Sequence, residues 1–168
     1  MPAISSSKRS RLAPILLAAA CSVAGTAAAV EPATGLVVTA GIGGGAELGL
    51  GEQKAGVAEA EVSAGWEHAP TGLRPELALG LGLAPDGHLA VRPGVRYVSP
   101  DAPIQVRVAL DWSNARAEKR WRWFLIGAAT ELRWTSAFSL VGGLDVGIPL
   151  GPESGMPLLV RGGAAFRF

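Results

Sequence analysis

The sequence predicts an all-β protein, an eight-stranded antiparallel up-and-down transmembrane β-barrel, and three observations point there. Apolar and polar residues alternate with a period of two through most of the chain beyond residue 30, a spacing that sorts side chains onto two faces only when the backbone is extended. Turn-forming residues cut that stretch into eight such segments, an even and closable number. The last segment, Leu158 to Phe168, ends on an aromatic and keeps Arg161 and Arg167 on the face opposite Phe166 and Phe168.

Residues 1–29 read as a secretory signal peptide. Lys8, Arg9 and Arg11 form its basic start, Leu12 to Ala20 its apolar middle, and Ala27-Ala28-Ala29 a small-residue cleavage site. Residues 30–168 then make one domain. The whole chain carries 15 Lys+Arg against 14 Asp+Glu, formally +1; without the three basic residues of the signal it falls to about −2. The remaining basic residues are mostly arginines spread singly, so no nucleic-acid footprint survives. The only cysteine, Cys21, sits inside the signal, where Leu17-Ala18-Ala19-Ala20-Cys21 makes a poor lipobox because Ala18 replaces a larger aliphatic residue. The mature domain therefore forms no disulfide.

The first segment, Leu36 to Leu50, sets Leu36, Val38, Ala40 and Ile42 against Thr39, glycines and Glu47. The second, Gly56 to His68, opposes Ala58, Ala60, Val62, Ala64 and Trp66 to Glu59, Glu61, Ser63 and Glu67. The third, Leu73 to Leu83, separates its leucines from Arg74 and Glu76. In the fourth, His88 to Val98, Leu89, Val91, Val95 and Tyr97 face away from Arg92 and Arg96. Pro93 lies on its apolar face and cannot donate to a ladder, which predicts a bulge or local irregularity at Pro93-Gly94. The fifth, Ile104 to Trp112, alternates without exception. The sixth, Trp121 to Trp134, is regular from Phe124 onward, but Arg122 falls on its apolar face and is expected at an interface. The seventh, Ala137 to Leu150, sorts Phe138, Leu140, Leu144 and Val146 from Ser139 and Asp145. Short links between segments imply antiparallel neighbours, since a parallel crossover needs a dozen or more residues.

The charge inventory says which face turns inward. The polar faces collect Glu47, Glu59, Glu61, Glu67, Glu76, Asp111, Glu131 and Asp145 with Arg74, Arg92, Arg96, Arg107, Arg133, Arg161 and Arg167, nearly balanced and almost free of lysine. Guanidinium groups suit paired interior ions, whereas a solvated surface usually carries lysine. An eight-stranded barrel is just wide enough for side chains to fill, so these groups form a lumen charge network. Aromatics give an independent sign. Trp66, Tyr97, Trp134, Phe138, Phe166 and Phe168 fall at one depth on the apolar face and Trp112 at the other, as two interfacial girdles require. A narrow pore, or a soluble lipocalin-like barrel with an apolar ligand inside, is the alternative.

With its signal peptide, eight alternating segments and terminal Phe166-Arg167-Phe168, the chain resembles the small eight-stranded outer-membrane barrels of Gram-negative bacteria. The resemblance implies outer-membrane lipid and lipopolysaccharide as surroundings, and the barrel-assembly machinery as a partner in biogenesis. Arg116, Lys119 and Arg120, in the Asn114-to-Arg120 loop, are then candidates to meet lipopolysaccharide phosphates.

No catalytic constellation accompanies that pattern, and neither a cofactor nor a metal is expected. Trp112-Ser113-Asn114 loosely resembles the His-x-Ser-Asn motif of outer-membrane lipid A deacylases, but Asp111 stands where the histidine belongs. Ser113 thus lacks a base to accept its proton. His68 and His88 flank the third segment and lie roughly a membrane thickness apart. Gly41 to Gly45 suggests a phosphate loop, yet no helix pattern follows to supply a dipole.

Overall fold

The computed structural model describes residues 34–49, 55–114, 120–151 and 155–168. Within them lie eight strands: β1 (Gly35–Leu48), β2 (Ala55–Glu67), β3 (Leu73–Ala84), β4 (His88–Val98), β5 (Ile104–Ser113), β6 (Arg120–Arg133), β7 (Phe138–Pro149) and β8 (Met156–Arg167). Each pairs antiparallel with the next, and β1 pairs with β8, so the sheet closes into a barrel. The expected segments coincide with these strands to within about two residues at each end, the usual fraying of a boundary. Residues 1–33, including the expected signal, lie outside the described residues, as do 115–119 with Arg116 and Lys119.

Both chain ends of the barrel lie together at what we term the proximal end. There Phe168 donates its backbone N–H to the Leu36 carbonyl, and Ala69 N–H is received by Thr34 Oγ1. The β2–β3 connection at this end turns on Gly72, whose φ of +66° suits a residue without Cβ. Its carbonyl accepts from Val98 N–H at 2.7 Å.

The period-two faces resolve as apolar outside and charged inside. Leu79 is 58% exposed, and Val108 and Leu144 are likewise on the outer wall, while Arg107 and Glu131 are each 4% exposed. Among the described strand residues none of the Asp, Glu, Lys or Arg side chains is exposed. That orientation excludes the inverted, lipocalin-like alternative. Inside, small residues flank each large one around the wall: one row of direct cross-strand partners runs Gly65, Glu76, Gly94, Ala109, Leu125, Gly147. Such spacing lets side chains fill a narrow lumen without overlap.

One expectation holds in part and a second needs correction. The local irregularity expected at Pro93-Gly94 is present as a lapse of pairing at Arg92 and Pro93, but it is not a bulge, because the β4–β5 register is the same on both sides of it. Leu89 and Asn114 are hydrogen-bonded at the distal end of this ladder, which makes the outward, odd-numbered positions of β4 the hydrogen-bonded ones. Pro93 occupies one of them, so the Leu110 carbonyl opposite loses its strand donor. A missing donor interrupts a ladder; it does not insert a residue. The bulges lie elsewhere, at Ala58/Glu59 between β2 and β3 and at Asp111/Trp112 between β5 and β6.

The second bulge explains Arg122. Asp111 pairs with Trp123 and Trp112 with Trp121, leaving Arg122 as the extra residue of β6. Parity therefore slips there, Trp121 stays outside, and Arg122 turns inward at 2% exposed instead of resting at an interface.

Candidate functional site

The lumen is the site that this architecture builds, because alternation on all eight strands aims the charged residues at one axis. Arg92 is its most connected cation. From β4 it donates to Glu59 through two nitrogens at 2.8 and 2.7 Å, to Glu61 at 2.6 Å and, through Nε, to Asp111 at 2.6 Å. The Arg92–Asp111 bond spans β4 and β5 where their backbone ladder lapses, so a buried ion pair stitches the weakened seam.

A second focus is Glu76 on β3. Arg74 pairs directly with Arg96, and Arg96 with Arg107, so three like charges stand side by side on adjacent strands. Unrelieved, that arrangement is destabilising. Glu76 answers all three: it accepts from Arg96 Nε and Nη2 at 3.0 Å each, with Arg107 Nε at 3.3 Å and Arg74 Nε at 3.6 Å. Arg107 also donates to Glu61 at 2.6 Å. Arg161 from β8 contacts Asp145 and lies 3.0 Å from Glu61.

Nearer the proximal end, Glu67 and Glu131 gather the remaining arginines. Arg74 donates to Glu67 at 3.2 Å, Arg133 lies 3.6 Å from each acid, and Arg167 is paired with Glu131 and donates to Ser139 at 2.6 Å. Gln105 bridges, accepting from Arg96 at 2.9 Å and donating to Glu131. At the distal end Glu47 stands apart from these clusters, 3.6 Å from Arg122.

Among the described residues, eight inward arginines, Arg122 included, stand against eight inward acids, and Arg120, opposite buried Ser113 at the distal end of β6, adds a further cation at that rim. Each charge taken out of water requires a partner, and this site supplies partners both from adjacent strands and across the lumen, as Arg92 and Arg161 do for Glu59. Between β6, β7, β8 and β1, where Gly127, Gly143, Gly163 and Gly41 project no side chains, a cavity of about 60 Å³ remains. Its polar lining includes Glu61, Arg96, Gln105, Arg107, Asp145 and Arg161. That volume holds a few waters and no organic substrate.

Around the outside, Trp66, Tyr97, Trp134, Phe166 and Phe168 are exposed near the proximal end, Trp134 at 72% and Phe168 at 78%. Phe138 is half-buried, its ring centroid 5.3 Å from that of Phe166. Trp112 and Trp121 pair across β5 and β6 at the distal end.

No protein-family model matches the chain, and no curated protein matches it. Solved structures do. Neisserial surface protein A is similar with a TM-score of 0.59 at 14% identity, covering 82% of this chain and 100% of its own. The N-terminal β-barrel domain of Pseudomonas aeruginosa OprF gives 0.57 at 14%, over 80% and 98%. A designed transmembrane β-barrel gives 0.50 at 17%, over 83% and 100%. The fold is that of the small transmembrane barrels.

On this scaffold the structure also recruits residues outside the expected set. Gln105 and Ser139 lie on faces read as polar but are uncharged, so a search for ions passes over them. Trp123 is the larger omission: it is inward and 5% exposed, although aromatics of a membrane barrel are sought outside. The run Trp121-Arg122-Trp123, out of phase with the alternation from Phe124 onward, was the available signal. Ser113 is fully buried, and its hydroxyl has no hydrogen-bond partner among the described residues. His68 is exposed beside Thr71, and His88 lies beyond the far end of β3.

Proposed function

We propose that this chain is an integral outer-membrane barrel of a Gram-negative envelope, inserted after removal of residues 1–29, with a lumen plugged by paired ions and a structural or surface-contact role without catalysis. The observation that carries the reading is the inside-out distribution of charge. The described strands present an apolar wall to their surroundings, and their ions pair across the axis. Strands of 10 to 14 residues are long enough to cross a bilayer at a tilt. The exposed aromatics near both rims suit the membrane–water interfaces. The short proximal turns would face the periplasm, and the distal loops, with Arg116 and Lys119 and with Arg120 at the start of β6, would meet lipopolysaccharide. The terminal aromatic strand would be read by the barrel-assembly machinery.

Nothing in the lumen favours turnover. Ser113 has Asp111, bound to Arg92, in place of a base, and the cavity admits only water-sized guests. Cell fractionation tests the reading: the protein should sediment with outer membranes, resist extraction by carbonate, and migrate faster on a denaturing gel before boiling than after. Recovery in the soluble periplasmic fraction would overturn it.

A further inference from the structure

The two ends of the lumen are closed by different chemistry. At the proximal end the polar inward groups are ions and hydroxyls, among them Arg167 bound to Ser139 and Arg74 bound to Glu67, beside the smaller apolar Val37, Val98 and Ala165. Towards the distal end the β6–β8 side carries large apolar groups, Trp123, Leu125, Leu159 and Pro157, each at most 5% exposed, with Glu47, Glu59, Asp111 and Arg122 beside them. Between the two seals lies the glycine-walled cavity, and its neighbours Glu61 and Arg161 keep some side-chain accessibility, 11% and 15%. The layer above it is tight. A Cβ on Gly147 would come within 2.7 Å of Pro157 Cδ and 3.2 Å of Leu125 Cδ2.

From this layering we propose that Trp123 and its apolar neighbours are the barrier that keeps the barrel silent, and that opening this plug turns the lumen into a channel for small hydrated ions. The inference deepens the membrane-barrel reading and rests on it. A constriction lined by ions stays wettable, because water solvates charges that exchange partners, whereas an apolar constriction excludes water and with it every ion. The charge network alone is therefore the weaker seal.

Trp123 is held by two direct contacts, one of them relayed to β1. Its Nε1–H donates to the Gly155 carbonyl at 2.8 Å, and Gly155 N–H donates to Glu47 Oε1 at 2.8 Å, so the indole is tied to the β7–β8 connection and to β1. The Arg122 guanidinium, turned inward by the bulge, sits 4.5 Å from the indole ring centroid. The bulge thus supplies a cation for the plug as well as an irregularity in the wall.

Planar-bilayer recordings and potassium chloride efflux from phospholipid vesicles test the assignment on purified full-length barrel. The parent protein and Trp123→Phe, which keeps a ring, should show no discrete steps. Trp123→Ala should show them, with efflux at least roughly tenfold above the parent once the dewetted layer is gone. Arg167→Gln, which breaks the proximal ion seal, should remain silent. If Trp123→Ala does not show the faster gel migration of a folded barrel, Leu159→Ala takes its place, with efflux raised by roughly threefold or more. A folded Trp123→Ala or Leu159→Ala as silent as the parent overturns the proposal, as does conduction by Arg167→Gln alone. Failure of the parent to enter vesicles strikes instead at the membrane reading beneath it.

Discussion

Arg92 shows why the lumen is built from guanidinium groups. A single planar fork contacts carboxylates on β2 and β5, with Nε on Asp111 and both terminal nitrogens on Glu59. An ammonium is a point charge and reproduces one of those contacts at a time. Arg92→Ala leaves Glu59 and Asp111 without their main cation and Glu61 short of one partner, and should lower the unfolding free energy by about 3–5 kcal/mol, measured by urea titration in lipid or detergent. Arg92→Lys should lose about 1–3 kcal/mol, since charge is kept and the fork is not. Glu76→Gln should cost about 3–5 kcal/mol as well, because Arg74, Arg96 and Arg107 then face one another without the acid they share. Which residues turn inward was legible for every strand that alternates, since parity alone assigns the face. Who bonds to whom was not: Glu76 serving three arginines depends on the relative register of β3, β4 and β5, which no single strand encodes.

At the scale of the strand, the instructive element is β4. Its hydrophobic period and its boundaries are plain in the sequence, and the observed strand spans His88–Val98 as read. Of the two consequences expected of Pro93, the local irregularity is the one observed, because the ring removes a donor without adding a residue, so the ladder lapses while the register holds. The true bulge on β6 was hidden by the opposite error. Arg122 looked like an apolar-face exception, whereas an inserted residue changes the face itself. If the seam is weak because the Leu110 carbonyl lacks its donor, Pro93→Val should restore it. The variant should gain about 0.5–1.5 kcal/mol and slow amide exchange along β4 and β5, whereas unchanged stability and exchange would mean the carbonyl is already satisfied.

For the whole molecule, closure is the property that makes the rest possible. A sheet joined β1 to β8 has no free edge, so its backbone can be satisfied without water, and its narrow interior can hold ions only as neutral sets. Strand number, antiparallel order and the inside-out pattern follow from alternation and short links. The cavity beside the glycine wall and the apolar plug above it do not, because both depend on how side chains from distant strands meet at one height. The central claim is that orientation, and nitroxide labels report it directly. Single cysteines placed at Leu79, Val108 and Leu144, labelled in the membrane-reconstituted barrel, should be relaxed strongly by oxygen and weakly by a water-soluble nickel chelate. Labels relaxed more by the chelate than by oxygen at all three positions would show that this wall faces water, and the account would be contradicted.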